Sequence, residues 1–353
     1  MNIKAIDIAR ALGISKSTVS LALNGKPGVS EETRKEVLEC KKKLEEGESL
    51  PGSQERPTGK QIKIVRVVNG MKNIRGAEMD LWTDVNMVFE KNFRAGGYSL
   101  GLLYADFREK DQSRMIQECN AKEVAGVLIF GTELKPENAK LLEGIQKPLV
   151  IYDAVLHTDQ YPTVLIDNRQ GIALAVEELI SHGNQDLIYL SNSMPMYNYL
   201  SRQRGFLEIM KDRGFGDVSD RIVHTGSSIE EVHQFMKGYL QKNRLPQAFL
   251  TESYHVSIGT MMALQELGIR VPEEVSLAGI DALPSYLTGG MALTSVRVPH
   301  TERAYWTVQL LLKEISHPVK EKCKLYINCE LVKGETVRTR KPTGGKNHEN
   351  MEL

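Results

Sequence analysis

Residues 11–30 read ALGISKSTVSLALNGKPGVS, two short apolar faces separated by a glycine and a run of small hydroxyl side chains. An ordinary core helix has no use for that arrangement, whereas a helix that must lie close against another surface does. Upstream, Ile6, Ile8, Ala9 and Leu12 recur at helical spacing and stop at Gly13. Ser15 then offers an N-cap oxygen to a second helix, which carries Val19, Leu21, Ala22 and Leu23 and ends at Asn24-Gly25. Ser30 caps a third, with Val37, Leu38 and Leu44 expected inward and Lys41 to Lys43 outward. Three small helices with a tight glycine turn between the first two predict a helix-turn-helix over residues 1–46.

Between Met1 and Lys26 the charged side chains are Lys4, Arg10, Lys16 and Lys26 against Asp7 alone, a local positive excess that suits phosphate contact. On the second helix, Lys16, Ser17 and Ser20 fall on the face away from Val19 and Leu23, within reach of base edges or phosphates in a major groove. Taken singly, these residues read equally well as a solvated helix face. In combination they do not. Ile14-Ser15, Thr18-Val19-Ser20, Leu23-Asn24-Gly25, Val29-Ser30 and Thr33-Arg34 agree in type and spacing with the headpiece of the lac repressor/galactose repressor family, which this segment resembles. The resemblance implies operator DNA as a partner and Lys4, Ser15, Lys16, Ser17, Thr18, Ser20, Leu21, Asn24 and Lys26 as the DNA-binding residues. Leu21 stands where the family often has arginine, so a changed base preference is implied.

At 353 residues, with 41% hydrophobic and 25% charged residues and a formal net charge of zero, the chain has the composition of a globular protein with two or three cores. Cys40, Cys119, Cys323 and Cys329 show neither CxxC spacing nor a disulfide framework, which suits a reducing cytoplasm. MNIKAIDIAR lacks an apolar signal core, and no apolar run approaches the ~20 residues that a bilayer span requires, so no membrane partner is expected. From Glu45 to Lys60 the sequence EEGESLPGSQERPTGK reads as a linker, assigned to residues 47–60. The family carries there a hinge helix whose leucine wedges into the minor groove. Glu55 holds roughly that place here, and an anionic side chain cannot supply apolar unstacking. Leu50 substitutes only in a shifted register.

Beyond Lys60 strand and helix alternate. IKIVRVV, YSLGLLYA, VAGVLIFG, PLVIYDA, TVLIDN, DLIYLSN, RIVHTG, AFLTES and VSLAGID are short apolar runs, and Gly183, Gly214 and Gly268 end helices between them. This alternation predicts an α/β fold with parallel sheets covered on both faces, and about ten strands point to two subdomains. LTSVRVPHTERAYWTVQLLL from Leu293 and YINCELVKGETVR from Tyr326 resemble the family's late crossovers. The expectation is an effector-binding domain over 61–340, built like a periplasmic binding protein from two doubly wound subdomains. The first is assigned 61–161 and 294–322, the second 162–293 and 323–340, with a polar tail at 341–353.

Ligands bind where parallel strands end, and here two sets of strand ends face a cleft. Asp167-Asn168-Arg169-Gln170-Gly171 resembles the family's Asp-Asn-x-x-Gly element, Arg202 its effector-binding arginine, and Asp281 and Asp153 its acids at strand ends. Carboxylates accept from vicinal hydroxyls and a guanidinium donates as a planar fork, so a sugar or sugar derivative suits the set. Trp82, Tyr152 and Tyr197 are candidate stacking faces. Ser253 and Tyr254 replace the family's Asn-Asp turn, exchanging an acid and an amide for a ring. Unaided by the resemblance, a lone Arg on a helix reads as a surface charge and an Asp after a strand as a cap.

The combined reading is a cytoplasmic, homodimeric transcriptional repressor whose operator affinity responds to a small effector, without cofactor, metal or catalytic residues. The tail lacks the leucine heptads that join dimers into tetramers. The alternatives are a non-catalytic solute-binding protein, which needs an export signal, and a sugar-active enzyme. No P-loop, GxSxG, HExxH or zinc-ligand spacing is present, and His182, His224, His233 and His255 form no evident cluster.

Overall fold

Parallel strands buried on both faces dominate the chain beyond residue 60. The structure, a computed structural model, describes residues 5–12, 14–45, 59–68, 78–109 and 111–340. Its elements run α1 (Ala5–Leu12), α2 (Lys16–Leu23), α3 (Glu31–Glu45), β1 (Gln61–Val68), α4 (Glu78–Ala95), β2 (Ser99–Asp106), α5 (Ser113–Cys119), β3 (Val124–Phe130), β4 (Leu149–Tyr152) and β5 (Thr163–Ile166). They continue with α6 (Asn168–Ser181), β6 (Leu187–Asn192), α7 (Tyr197–Asp212), β7 (Ile222–Gly226), α8 (Ile229–Lys242), β8 (Ala248–Thr251) and α9 (Tyr254–Glu266). The last are β9 (Ser276–Ile280), β10 (Thr294–Arg297), α10 (His300–Ser316), β11 (Lys324–Ile327) and β12 (Glu330–Val332).

The headpiece folds for local reasons. Ser15 Oγ accepts from the Thr18 amide at 3.0 Å and Ser30 Oγ from the Thr33 amide at 3.1 Å, satisfying a first-turn donor of α2 and of α3. The Ile14 amide closes onto Ala9 O at 3.0 Å, turning the chain from α1 into α2. Ile8, Ala9, Val19, Ala22, Val37 and Cys40 form the core. Leu38, expected inward, is 50% exposed, because the buried stripe of α3 runs from Val37 to Cys40 and leaves position 38 beside it. Leu44 and Lys43 have side chains outside the described residues, as do Ile6 and Arg10.

Two six-stranded sheets follow, in the orders β11-β5-β4-β3-β1-β2 and β12-β10-β9-β8-β6-β7. Every pairing is parallel except that of β10 with β12, so the second sheet has one antiparallel edge. In β4, β5, β8 and β9 every residue is buried, as strands covered on both faces require. Gly183, Gly214 and Gly268 stand after their helices at φ of 78°, 82° and 68°.

The subdomain boundaries differ from the expected ones at three strands. β5 was assigned to the second subdomain but joins the first sheet, where Ile151 and Tyr152 pair with Thr163 and Val164. β10, assigned to the first, lies beside β9 in the second sheet, and β11, assigned to the second, pairs with β5 in the first. The chain therefore crosses after β5, after β10 and after β11, a few residues later each time than the sequence suggested. Apolar runs do not say which backbone edge they will meet. The linker 47–60 and tail 341–353 lie outside the described residues, apart from Gly59 and Lys60.

Candidate functional site

α2 presents two faces. Val19 and Ala22 are buried, while Lys16, Ser17 and Ser20 are exposed and Leu21 is half-buried. Ser15 and Thr18 serve the cap, their hydroxyls 2.8 Å apart, and Ser15 Oγ also lies 2.7 Å from Ser17 Oγ. Asn24 ends the helix by donating from Nδ2 to Ser20 O at 2.8 Å. Arg34 donates to Lys26 O at 3.0 Å, tying the turn after α2 to α3 and leaving the Lys26 side chain at the surface. Lys4 lies outside the described residues.

The second site lies where strand ends of the two sheets meet. Asp153 follows β4 and Asp281 follows β9, and both take a left-handed backbone, φ 73° and 74°. Each donates its amide to the neighbouring strand, Asp153 to Val164 O at 2.9 Å and Asp281 to Val296 O at 3.0 Å, so the two sheets repeat one local design. A short polar residue tolerates this conformation best among side-chain-bearing residues. Asp153 accepts from Thr132 Oγ1 at 2.8 Å and is ion-paired with Arg303 of α10. Asp281 has His300 Nε2 at 3.7 Å, on the first turn of the same helix. Burial alone would raise the Asp281 carboxyl, yet hydrogen bonds from His300 and the Tyr254 amide, with the Arg202 charge, leave it below its ordinary range.

Arg202, 5% exposed on α7, donates from Nε to Asn168 Oδ1 at 2.9 Å and from Nη1 to Glu252 O at 2.8 Å. Asn168 in turn donates to Asn198 Oδ1 at 2.8 Å, and Asp167 caps α6 through the Gln170 amide. Ser253 is the buried N-cap position of α9, and Tyr254 stacks on His255 with centroids 3.8 Å apart. Burial lowers His255 to about 4. Tyr197 opens α7 and hydrogen-bonds Tyr326 of β11, a contact between the two subdomains. Burial first, then that neighbour, pushes its hydroxyl up to about 12.

One expectation changes. Tyr152 is not a stacking face for a ligand: its ring packs on Phe130 at 4.9 Å and Phe89 at 5.9 Å and lies under the Arg303 guanidinium at 4.4 Å. The Trp82 side chain lies outside the described residues. Three residues at the site went unforeseen: Glu252, His300 and Arg303. Glu252 is fully buried and accepts from the Asn192 amide at 2.6 Å and from Ser191 Oγ and Tyr189 OH at 3.0 Å. Burial raises it to about 7 against these hydrogen bonds and the Arg202 charge. The only sequence signal was an acid directly after the apolar run AFLT. Nothing local announced Arg303, whose partner Asp153 is 150 positions away. Among the described residues no cluster of three or more His, Cys, Asp or Glu could hold a metal ion, and no helix is long and apolar enough to cross a membrane.

Two family models match the chain: "Bacterial regulatory proteins, lacI family" over residues 4–45, and "Periplasmic binding protein-like domain" over residues 176–337. The chain is 25% identical over 338 residues to the HTH-type transcriptional repressor PurR of Pasteurella multocida, covering 95% of this chain and 98% of that one. It is 25% identical over 349 residues to the ribose operon repressor of Halalkalibacterium halodurans, covering 98% of each. In fold it is similar to a transcriptional regulator CelR–cellobiose complex, TM-score 0.67 at 21% identity over 95% of this chain and all of that one. It is likewise similar to the lac repressor dimer bound to operator and an anti-inducer, TM-score 0.63 at 19% identity over 96% of this chain and all of that one. A capped helix-turn-helix joined to a core of two crossed-over parallel sheets, matched by both models and along nearly its whole length by repressors, places the chain in the lacI family of bacterial regulatory proteins.

Proposed function

We propose that the chain is a transcriptional repressor that grips operator DNA with its headpiece and whose grip is set by a sugar or sugar derivative bound between the two sheets. The observation that carries this is α10. Its first turn meets Asp281 of the second sheet through His300, and one turn on, Arg303 holds Asp153 of the first. A ligand at those strand ends that alters the angle between the sheets acts on the helix that joins them. Linkage then requires DNA to change ligand affinity by the same factor.

Lys16 and Lys26, with Lys4, supply phosphate contacts, while Lys16, Ser17 and Leu21 contact bases. Ser15, Thr18, Ser20 and Asn24 hold the helix in shape and add contacts at its ends. Arg202, Asp281, Asp153, Tyr197, Ser253 and Tyr254 form the effector wall. The protein works in the cytoplasm as a homodimer on a roughly palindromic site and catalyses no reaction. Selection of duplexes from a random pool with the purified full chain, repeated with uncharged sugars including ribose and cellobiose, tests the reading. A consensus site whose affinity moves with one sugar is expected; sequence-independent binding unmoved by any of them overturns it.

A further inference from the structure

Among the described residues the buried cations are Arg202 and Arg303, and both stand at the strand ends of the cleft. Both are already engaged by groups of the protein, although Arg303 Nε makes no hydrogen bond among the described residues. Arg303 is paired with Asp153, both side chains almost wholly enclosed. Arg202 has donated Nε and Nη1 to Asn168 and Glu252, and it lies in the field of Asp281 and the Glu252 carboxylate.

The other ready anion site is filled as well. The N-terminus of α9, where free amides and the helix dipole attract negative charge, donates through Tyr254 N–H to Asp281. The amide at the end of β6, Asn192 N–H, donates to Glu252. Asp153, Glu252 and Asp281 thus occupy the positions that a phosphate or carboxylate would take. Tyr152 OH and Asn192 Nδ2 are among the buried polar atoms with no partner among the described residues, and both fit a neutral acceptor oxygen.

Resting on the reading of this cleft as the effector site, we infer that it takes an uncharged polyhydroxylated ligand and excludes phosphorylated and carboxylated ones, because Asp153 and Asp281 already supply its negative charge and the Glu252 carboxyl fills a third acceptor position. Placing a further buried anion beside them without a cation to pair it costs on the order of a hundredfold or more in affinity.

The test uses inorganic phosphate as the probe and the full chain in isothermal titration. Wild type is expected to show no saturable binding that depends on Arg202. Asp281→Asn, which removes the negative charge facing His300 and Arg202, is expected to gain phosphate affinity at least tenfold, and adding Arg202→Ala to abolish the gain. Glu252→Gln, which keeps the size of the side chain, is a second route to the same gain if Asp281→Asn misfolds. Phosphate binding by wild type that Arg202→Ala removes overturns the inference, as does failure of both variants to gain affinity. Ribose 5-phosphate or glucuronate raising the melting temperature more than ribose or glucose overturns it too. An absence of operator binding, by contrast, removes the regulatory reading and leaves the charge argument intact.

Discussion

Arg303 and Asp153 form an almost wholly enclosed ion pair, with side chains 0% and 3% exposed, and the guanidinium also covers the face of Tyr152. Breaking such a pair leaves one buried charge without its partner. Arg303→Ala is expected to destabilise the core by roughly 3–5 kcal/mol in urea denaturation, and Arg303→Met with Asp153→Asn to cost less than Arg303→Ala alone. Arg303→Lys is expected not to rescue, because an ammonium cannot both pair and lie flat on the ring. At φ 73° Asn is tolerated where Ala is strained, so Asp153→Asn is expected to retain more stability than Asp153→Ala.

Glu252 and His255 pull stability in opposite directions with pH. Glu252 moves from 4.5 up to about 7 on folding, so between these values the folded state holds the proton more tightly and stability falls as pH rises. His255 moves from 6.5 down to about 4, so across that window the unfolded state holds the proton more tightly and stability rises with pH. The two slopes offset each other below pH 6.5. Glu252→Gln is expected to uncover the rise and His255→Phe to steepen the fall, read as denaturation midpoints from pH 4.5 to 7.5. Unchanged slopes in both variants refute the assignment.

Ser15 accepts from the Thr18 amide and organises the hydroxyls of Ser17 and Thr18. Ser15→Ala is expected to cost about 1 kcal/mol of headpiece stability, and Ser15→Asp to restore most of it. Thermal melting followed through headpiece amide signals checks this.

Lys16 and Leu21 are expected to separate affinity from preference. Lys16→Ala weakens binding across sequences and lowers the salt slope by about 1. Leu21→Arg changes which duplexes are selected, since arginine donates in bidentate fashion to guanine. Anisotropy titrations over a salt series distinguish the two. A Leu21→Arg variant that selects the same duplexes as the parent removes Leu21 from the reading face.

The polar tips of the core strands divide sharply in how readable they were. Asp281, Arg202 and Asp167 stand in short motifs that mark them in the sequence. Glu252 carries no such mark, because an acid after a strand ordinarily ends in solvent and only the converging Tyr189, Ser191 and Asn192 donors make it an internal group. Tyr152 differs from its expected role for the complementary reason: a tyrosine at a strand end offers a ring face until a helix from elsewhere covers it, as α10 does here.

Sequence alone determined what is settled within a turn or two of chain: the caps of α2 and α3, the glycine stops and the alternation of buried strands with helices. Those features depend on one residue's hydrogen bonds to another three or four positions on, and on periodicity that hydrophobic burial imposes locally. The tertiary structure decided which sheet β5, β10 and β11 join, and that α10 would bring Arg303 to Asp153 and His300 to Asp281. A strand's free edge accepts any partner of suitable register, and a charge acquires its partner only once desolvation has made an unpaired charge costly, so both outcomes belong to the assembled fold.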